Sequence, residues 1–90
     1  MRIDAIRIEP HILEKIEAKH GVLFEEVEEA CFSHHKHIRR VRRDVVLVLG
    51  RSAHGRHLAV LLARGAKEFW VVSARDMNLS ERRLYGRQGK

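Results

Sequence analysis

Between His37 and Ala74 the sequence offers four strand-like runs, His37 to Arg43, Asp44 to Leu49, Arg56 to Ala63 and Glu68 to Ala74, separated by breaks of a few residues. A parallel crossover needs a dozen or more residues, so connections this short force neighbouring strands to run antiparallel. The segment is therefore a meander, with turns predicted at Gly50-Arg51-Ser52-Ala53-His54-Gly55 and around Gly65.

What precedes the meander reads as its cover. Ile3, Ile6 and Ile8 with charges between them predict a short half-buried strand, closed by Glu9-Pro10. Pro10 suits a first helical position, and Ile12, Leu13 and Ile16 recur at helical spacing before His20-Gly21 stops a helix from 10 to 20. Beyond Gly21, Phe24, Val27, Ala30 and Cys31 share one helical face while Glu25, Glu26, Glu28 and Glu29 take the other. At the far end Asn78 caps a last helix with Glu81 three positions on, and this helix runs through Leu84 and Tyr85. The expected order is β-α-α-β-β-β-β-α: an α+β fold, one domain over 1-90, with a mainly antiparallel sheet and helices packed on one face.

The longest apolar stretches, Val45 to Leu49 and Leu58 to Ala63, fall far short of the roughly 18 residues that cross a bilayer. Arg2, Asp4, Arg7 and Glu9 leave no room for a secretory signal, so a cytoplasmic protein without membrane association is expected. The single cysteine, Cys31, has no partner for a disulfide. Charge is divided along the chain. Residues 1 to 32 carry 4 Lys/Arg against 8 Asp/Glu, a net of −4, and residues 33 to 90 carry 14 against 4, a net of +10. A cationic half of this strength attracts polyanions, of which nucleic acid is the commonest in the cytosol.

The block His34-His35-Lys36-His37-Ile38-Arg39-Arg40-Val41-Arg42-Arg43 concentrates that charge. Strict strand alternation sets His35, His37, Arg39 and Arg43 with Val41 on one face, and Lys36, Arg40 and Arg42 with Ile38 on the other. Such a strand either blunts a sheet edge with cations or contacts phosphates. A metal site from Cys31, His34, His35 and His37 is a further alternative, although no second ligand pair follows at zinc-site spacing. By the same alternation Arg56 ends a stripe with Leu58, Val60 and Leu62, and Arg75 one with Phe69, Val71 and Ser73. Each guanidinium either pairs with an acid such as Glu81 or lines a pocket at the sheet rim. Lys19 and His20 close a helix whose macrodipole favours cations there. Ser33, Ser52, Ser73 and Ser80 lie in no nucleophile elbow, and Gly50 to Gly55 lacks the Lys-Ser/Thr of a phosphate loop. Three possibilities remain: cleavage of RNA through its own 2′-hydroxyl, noncatalytic nucleic-acid binding in a regulatory domain, and protein interaction alone.

Five segments carry a resemblance: Lys19-His20-Gly21-Val22 with Phe24-Glu25-Glu26; Gly50-Arg51-Ser52; Gly55-Arg56-x-Leu58; Ser73-Ala74-Arg75-Asp76-Met77; and Glu81-Arg82-x-x-Tyr85. In this order and spacing they resemble the BrnT family of toxins from bacterial type II toxin-antitoxin systems, over about residues 10 to 86. The chain departs from that pattern in its short, basic Ser33 to Arg43 connection and in Ile3 to Pro10. The resemblance implies a RelE-like fold, a ribonuclease that arrests translation, and a BrnA-like antitoxin that neutralises it in a hetero-oligomer; since the candidate residues act through fixed charge, a metal-independent, cofactor-free endoribonuclease is expected. The resemblance puts the catalytic site on Arg56 and Arg75, with His20 and Lys19 beside them. The RNA-binding set is then Arg39, Arg40, Arg42 and Arg43 with Arg51 and Arg82, the last two matching the motif, as does Tyr85.

Overall fold

A computed structural model describes residues 2-88 of the chain. The order is the expected one: β1 (Ile6–Arg7), α1 (Pro10–His20), α2 (Phe24–Phe32), β2 (His37–Arg42), β3 (Val45–Arg51), β4 (His57–Arg64), β5 (Phe69–Asp76) and α3 (Leu79–Gln88). The strands form one sheet in the order β1-β5-β4-β3-β2. β2 to β5 are antiparallel neighbours, as their short connections require, and β1 adds a parallel pair through Ile6↔Phe69 and Arg7↔Trp70. The first strand is shorter than the run from Ile3 to Ile8 because its partner begins only at Phe69 and the helix starts at Pro10. The turn after β3 is also shorter than expected, since Gly50 and Arg51 still pair with Leu58 and His57.

Local chemistry sets the boundaries. α1 ends in a left-handed Gly21 (φ 62), with Gly21 N–H donating to Glu17 O and Val22 N–H to Ile16 O. α2 begins where Glu26 accepts the Leu23 N–H at 3.0 Å. Gly50 has no side chain because the Ala30 carbonyl of α2 lies where a Cβ would stand, so α2 rests directly on β3. The main core joins Ile16, Val22, Val27, Ala30 and Cys31 of the helices to Val46, Val48, Leu58, Val60 and Leu62 of the sheet.

One expectation needs correction: the helices do not all pack on one face. Leu49 and Ala59, on the opposite side from Val48 and Val60, form a second small core with Met77 and Tyr85, and Leu47 and Leu84 pack against it. α1 and α2 cover one face, and α3 crosses the other. The cause lies in β3 and β4, whose apolar residues run on without alternation, the pattern of strands buried from both sides. Among the described residues no helix is long and apolar enough to cross a membrane.

Two bulges decide which side chains share a face. Arg40 pairs with Val46 and Arg42 with Val45, so Val41 is the extra residue and Arg42 joins His37 and Arg39 on the α3 side. In β5, Ser73 pairs with Leu61 but Val71 with Leu62, so Val72 is extra and the parity of everything beyond it reverses.

Candidate active site

Arg56 leads into β4 from a turn tied by Ser52 N–H to Arg56 O at 2.9 Å and Arg56 N–H to Ser52 Oγ at 3.1 Å. Its guanidinium faces the helices, and every donor is engaged. Nε and Nη2 fork onto Asp76 at 2.7 and 3.1 Å, Nη1 donates to Gly21 O at 2.9 Å and Glu26 at 3.2 Å, and Nη2 also donates to His20 O at 2.7 Å. These are the five N–H groups that an arginine owns. Lys19 and His20 lie beside this node at the end of α1, lining a cavity of about 250 Å³ with Ile12, Ile16 and Val72. Three of the four predicted catalytic residues are thus brought together, around a guanidinium already neutralised by two carboxylates.

Arg75 is not with them: it lies on the opposite side of the sheet from Arg56. The Val72 bulge turns Arg75 towards α3, opposite Ala59, where Nη1 and Nη2 clamp Glu81 at 2.7 and 2.8 Å. Glu81 is also the reciprocal cap of α3: it accepts the Asn78 N–H at 2.9 Å and its own N–H donates to Asn78 Oδ1 at 2.8 Å. Arg75 therefore anchors the start of α3.

The hydrogen bond from Arg56 holds the Asp76 carboxyl below its ordinary range, and the one from Arg75 does the same for Glu81. A carboxyl lowered in the folded state stabilises the fold above its unfolded value, and that contribution disappears as pH falls through the folded one. Urea titrations should therefore find the stability gap between the parent and Arg75→Gln full at neutral pH and closing as the solution is acidified through the carboxylate range.

A different group of cations makes no close ion pair, although Arg39 is near enough to Glu81 to help lower its carboxyl. Arg39, Arg51 and Arg82 are exposed and form no ion pair among the described residues. All three belong to the side of the sheet that α3 crosses: Arg39 lines a cavity of about 180 Å³ with His37, Leu47 and Leu84, and Arg51 pairs across the β3-β4 hairpin with His57. His57 is half-buried, its ring edge-on to Tyr85 at 5.6 Å. Burial pushes the His57 imidazole below its usual value, and the charges of Arg82 and Arg51 lower it further. Both influences favour the neutral imidazole, the form able to accept a proton. Tyr85 is buried, donates its hydroxyl to His35 O at 3.2 Å, and packs against the His35 ring in a tilted arrangement with centroids 4.6 Å apart.

Of the predicted RNA-binding residues, Arg39, Arg42, Arg51 and Arg82 gather on or beside the α3 face. Arg40 pairs with Val46 towards the helix side, and Arg43 sits in the β2-β3 turn. The suggested metal ligands do not converge: Cys31 is fully buried in the main core, its thiol pushed up to about 12 by burial, whereas His37 lines the α3-side cavity. His57 was missed by sequence reasoning, and His35 was considered only within the basic strand and as a metal ligand. The hairpin register was the available signal for His57, because a turn closed between Ser52 and Arg56 sets His57 opposite Arg51.

No family model matches the chain, and no curated protein matches it. A solved structure does: the ribonuclease toxin BrnT of Brucella abortus superposes with a TM-score of 0.67, covering 81% of this chain and 95% of that one. The fold is that of BrnT. Sequence identity between the two is 20%, so the likeness is one of architecture. Within the BrnT fold this chain joins α1, α2 and β5 through Arg56, fixes α3 through Arg75, and leaves Arg51 and Arg82 without an ion pair among the described residues.

Proposed function

We propose that the chain is a metal-independent endoribonuclease acting on single-stranded RNA in the cytosol, a toxin held in check by a BrnA-like antitoxin. The observation that carries the reading is the placement of His57 opposite Arg51 across the β3-β4 hairpin and edge-on to Tyr85 of α3, where burial and then the charges of Arg82 and Arg51 lower its imidazole. In this mechanism the two guanidiniums hold the scissile phosphate and the charge that develops on it. The 2′-hydroxyl gives its proton to His57 and attacks phosphorus, the P–O5′ bond breaks, and the 5′ oxygen takes a proton from water, leaving a 2′,3′-cyclic phosphate. The phosphate-holding role thus moves from Arg56 and Arg75 to Arg51 and Arg82. Arg75 supports it by fixing α3, while Arg56, Lys19 and His20 belong to the corner that braces the sheet end. The likeness of fold to a ribonuclease toxin adds support of a coarser kind.

The test is cleavage of end-labelled single-stranded RNA in EDTA. Cleavage with a cyclic-phosphate terminus, lost on 2′-deoxy substitution at the cut site, is the expected result. Binding without cleavage would favour a noncatalytic nucleic-acid-binding domain. The same RNA reports on the basic block: Arg39→Gln and Arg42→Gln should each flatten the dependence of log K on log salt by about 0.7, and Glu25→Gln should leave it unchanged.

A further inference from the structure

Phe32 interrupts the polar row of α2. Its outward positions carry Glu25, Glu28 and Glu29, and the next one along that face is an aromatic ring 44% exposed. The other aromatic side chains, Phe24, Phe69, Trp70 and Tyr85, are buried or half-buried. Phe32 contributes nothing to either core. It stands at the wall of an open depression of about 560 Å³, whose other sides are His34, His35, Arg51, Gly55 and Tyr85. That volume is within the range of small-ligand sites. The Arg51 guanidinium lies 2.9 Å from where a Gly55 Cβ would stand, so the glycine makes room for it across the floor. The acid at the rim, Glu29, accepts the Ala53 N–H at 3.0 Å.

We infer that this depression takes one unstacked nucleobase of the RNA strand, lying flat on Phe32 while its phosphate reaches Arg51. The inference rests on the RNA reading above and deepens it by assigning a base subsite beside the phosphate site, with Arg51 common to both. An exposed π-face next to unneutralised cations is the arrangement by which single strands are held, because every base has a face to stack and every nucleotide a phosphate to pair.

Binding of a 2′-O-methyl oligoribonucleotide, which cannot be cut, tests the subsite separately from cleavage. An abasic oligomer of the same length supplies the phosphates without bases. Phe32→Ala should weaken binding of the first by about fivefold or more and leave the second unchanged. Phe32→Trp should retain affinity, and its added indole should be quenched by the base-bearing oligomer and not by the abasic one, with Trp70 of the parent as baseline. Equal affinity of the parent for both oligomers, or a Phe32→Ala variant that binds like the parent with unchanged circular dichroism, would overturn the subsite while leaving the cleavage mechanism standing. Stacking without any cleavage of unmodified RNA would do the reverse.

Discussion

Arg56→Ala should lower the unfolding free energy by about 2 to 3 kcal/mol, a large share of the roughly 5 to 13 kcal/mol expected for a domain of this size. The substitution removes five hydrogen bonds at once. It strands groups that differ in their access to water. Asp76, 61% exposed at its side chain, rehydrates easily, and Glu26, 19% exposed, keeps the Leu23 N–H. The carbonyls of His20 and Gly21 lose the donor that ties the α1-α2 corner to the sheet. That partial exposure keeps the cost below the 3 to 5 kcal/mol of breaking a fully buried pair. Arg56→Lys recovers only a part, because an ammonium cannot reach two carboxylates and two carbonyls in one plane. Urea unfolding followed by circular dichroism should give a lower midpoint at an unchanged slope, and Arg2→Ala, whose pair with Asp4 is exposed on both sides, should leave the midpoint where it was. A variant that melts with the parent would refute the bracing role. A variant that remains folded yet loses cleavage a hundredfold would show that this guanidinium leaves its carboxylates to meet substrate.

The same residue illustrates how far the sequence can be read. Element order followed from local signals that act over a few residues: Pro10 and Gly21 around α1, the Asn78 and Glu81 reciprocal cap, and connections too short for anything but antiparallel pairing. Facing was harder, because one extra residue reverses it. Counting from Phe69 puts Arg75 on the side of Val71, and counting from His37 separates Arg42 from Arg39. The bulges at Val72 and Val41 undo both, and neither carries a glycine or other local mark. The location of α3 was legible in principle, since continuous apolar runs in β3 and β4 call for cover on both faces. The partners of Arg56 were not: Gly21, Glu26 and Asp76 lie 35, 30 and 20 positions away, and only the packing of the helices on the sheet brings them to one point.

Arg51→Ala and Arg82→Ala should each reduce RNA cleavage by about 100- to 1000-fold, the cost of removing one preorganised charge donor from a developing oxyanion. Neither should alter the urea midpoint, since both side chains are exposed and without an ion pair among the described residues. The two act on one phosphate, so the double variant should lose less than the product of the single losses. His57→Gln should lose about 100- to 10,000-fold, as expected when a positioned general base is removed. The pH profile separates this site from any other that arginine removal would weaken. The general base must be neutral, so kcat/KM falls on the acid side through the His57 titration. Burial and the charge of Arg82 hold that titration below its ordinary value. Arg82→Ala removes a repelling charge and raises the value, so the residual activity of this variant should have its acid limb at higher pH than the parent. Arg51→Ala should move the limb in the same direction by less, because its charge is the smaller of the two influences. Arg39→Ala, which does not act on His57, should weaken RNA binding with the limb unmoved. If Arg82→Ala leaves the acid limb in place while His57→Gln cleaves at the parental rate, then the proton is taken elsewhere and the centre does not lie between these two arginines.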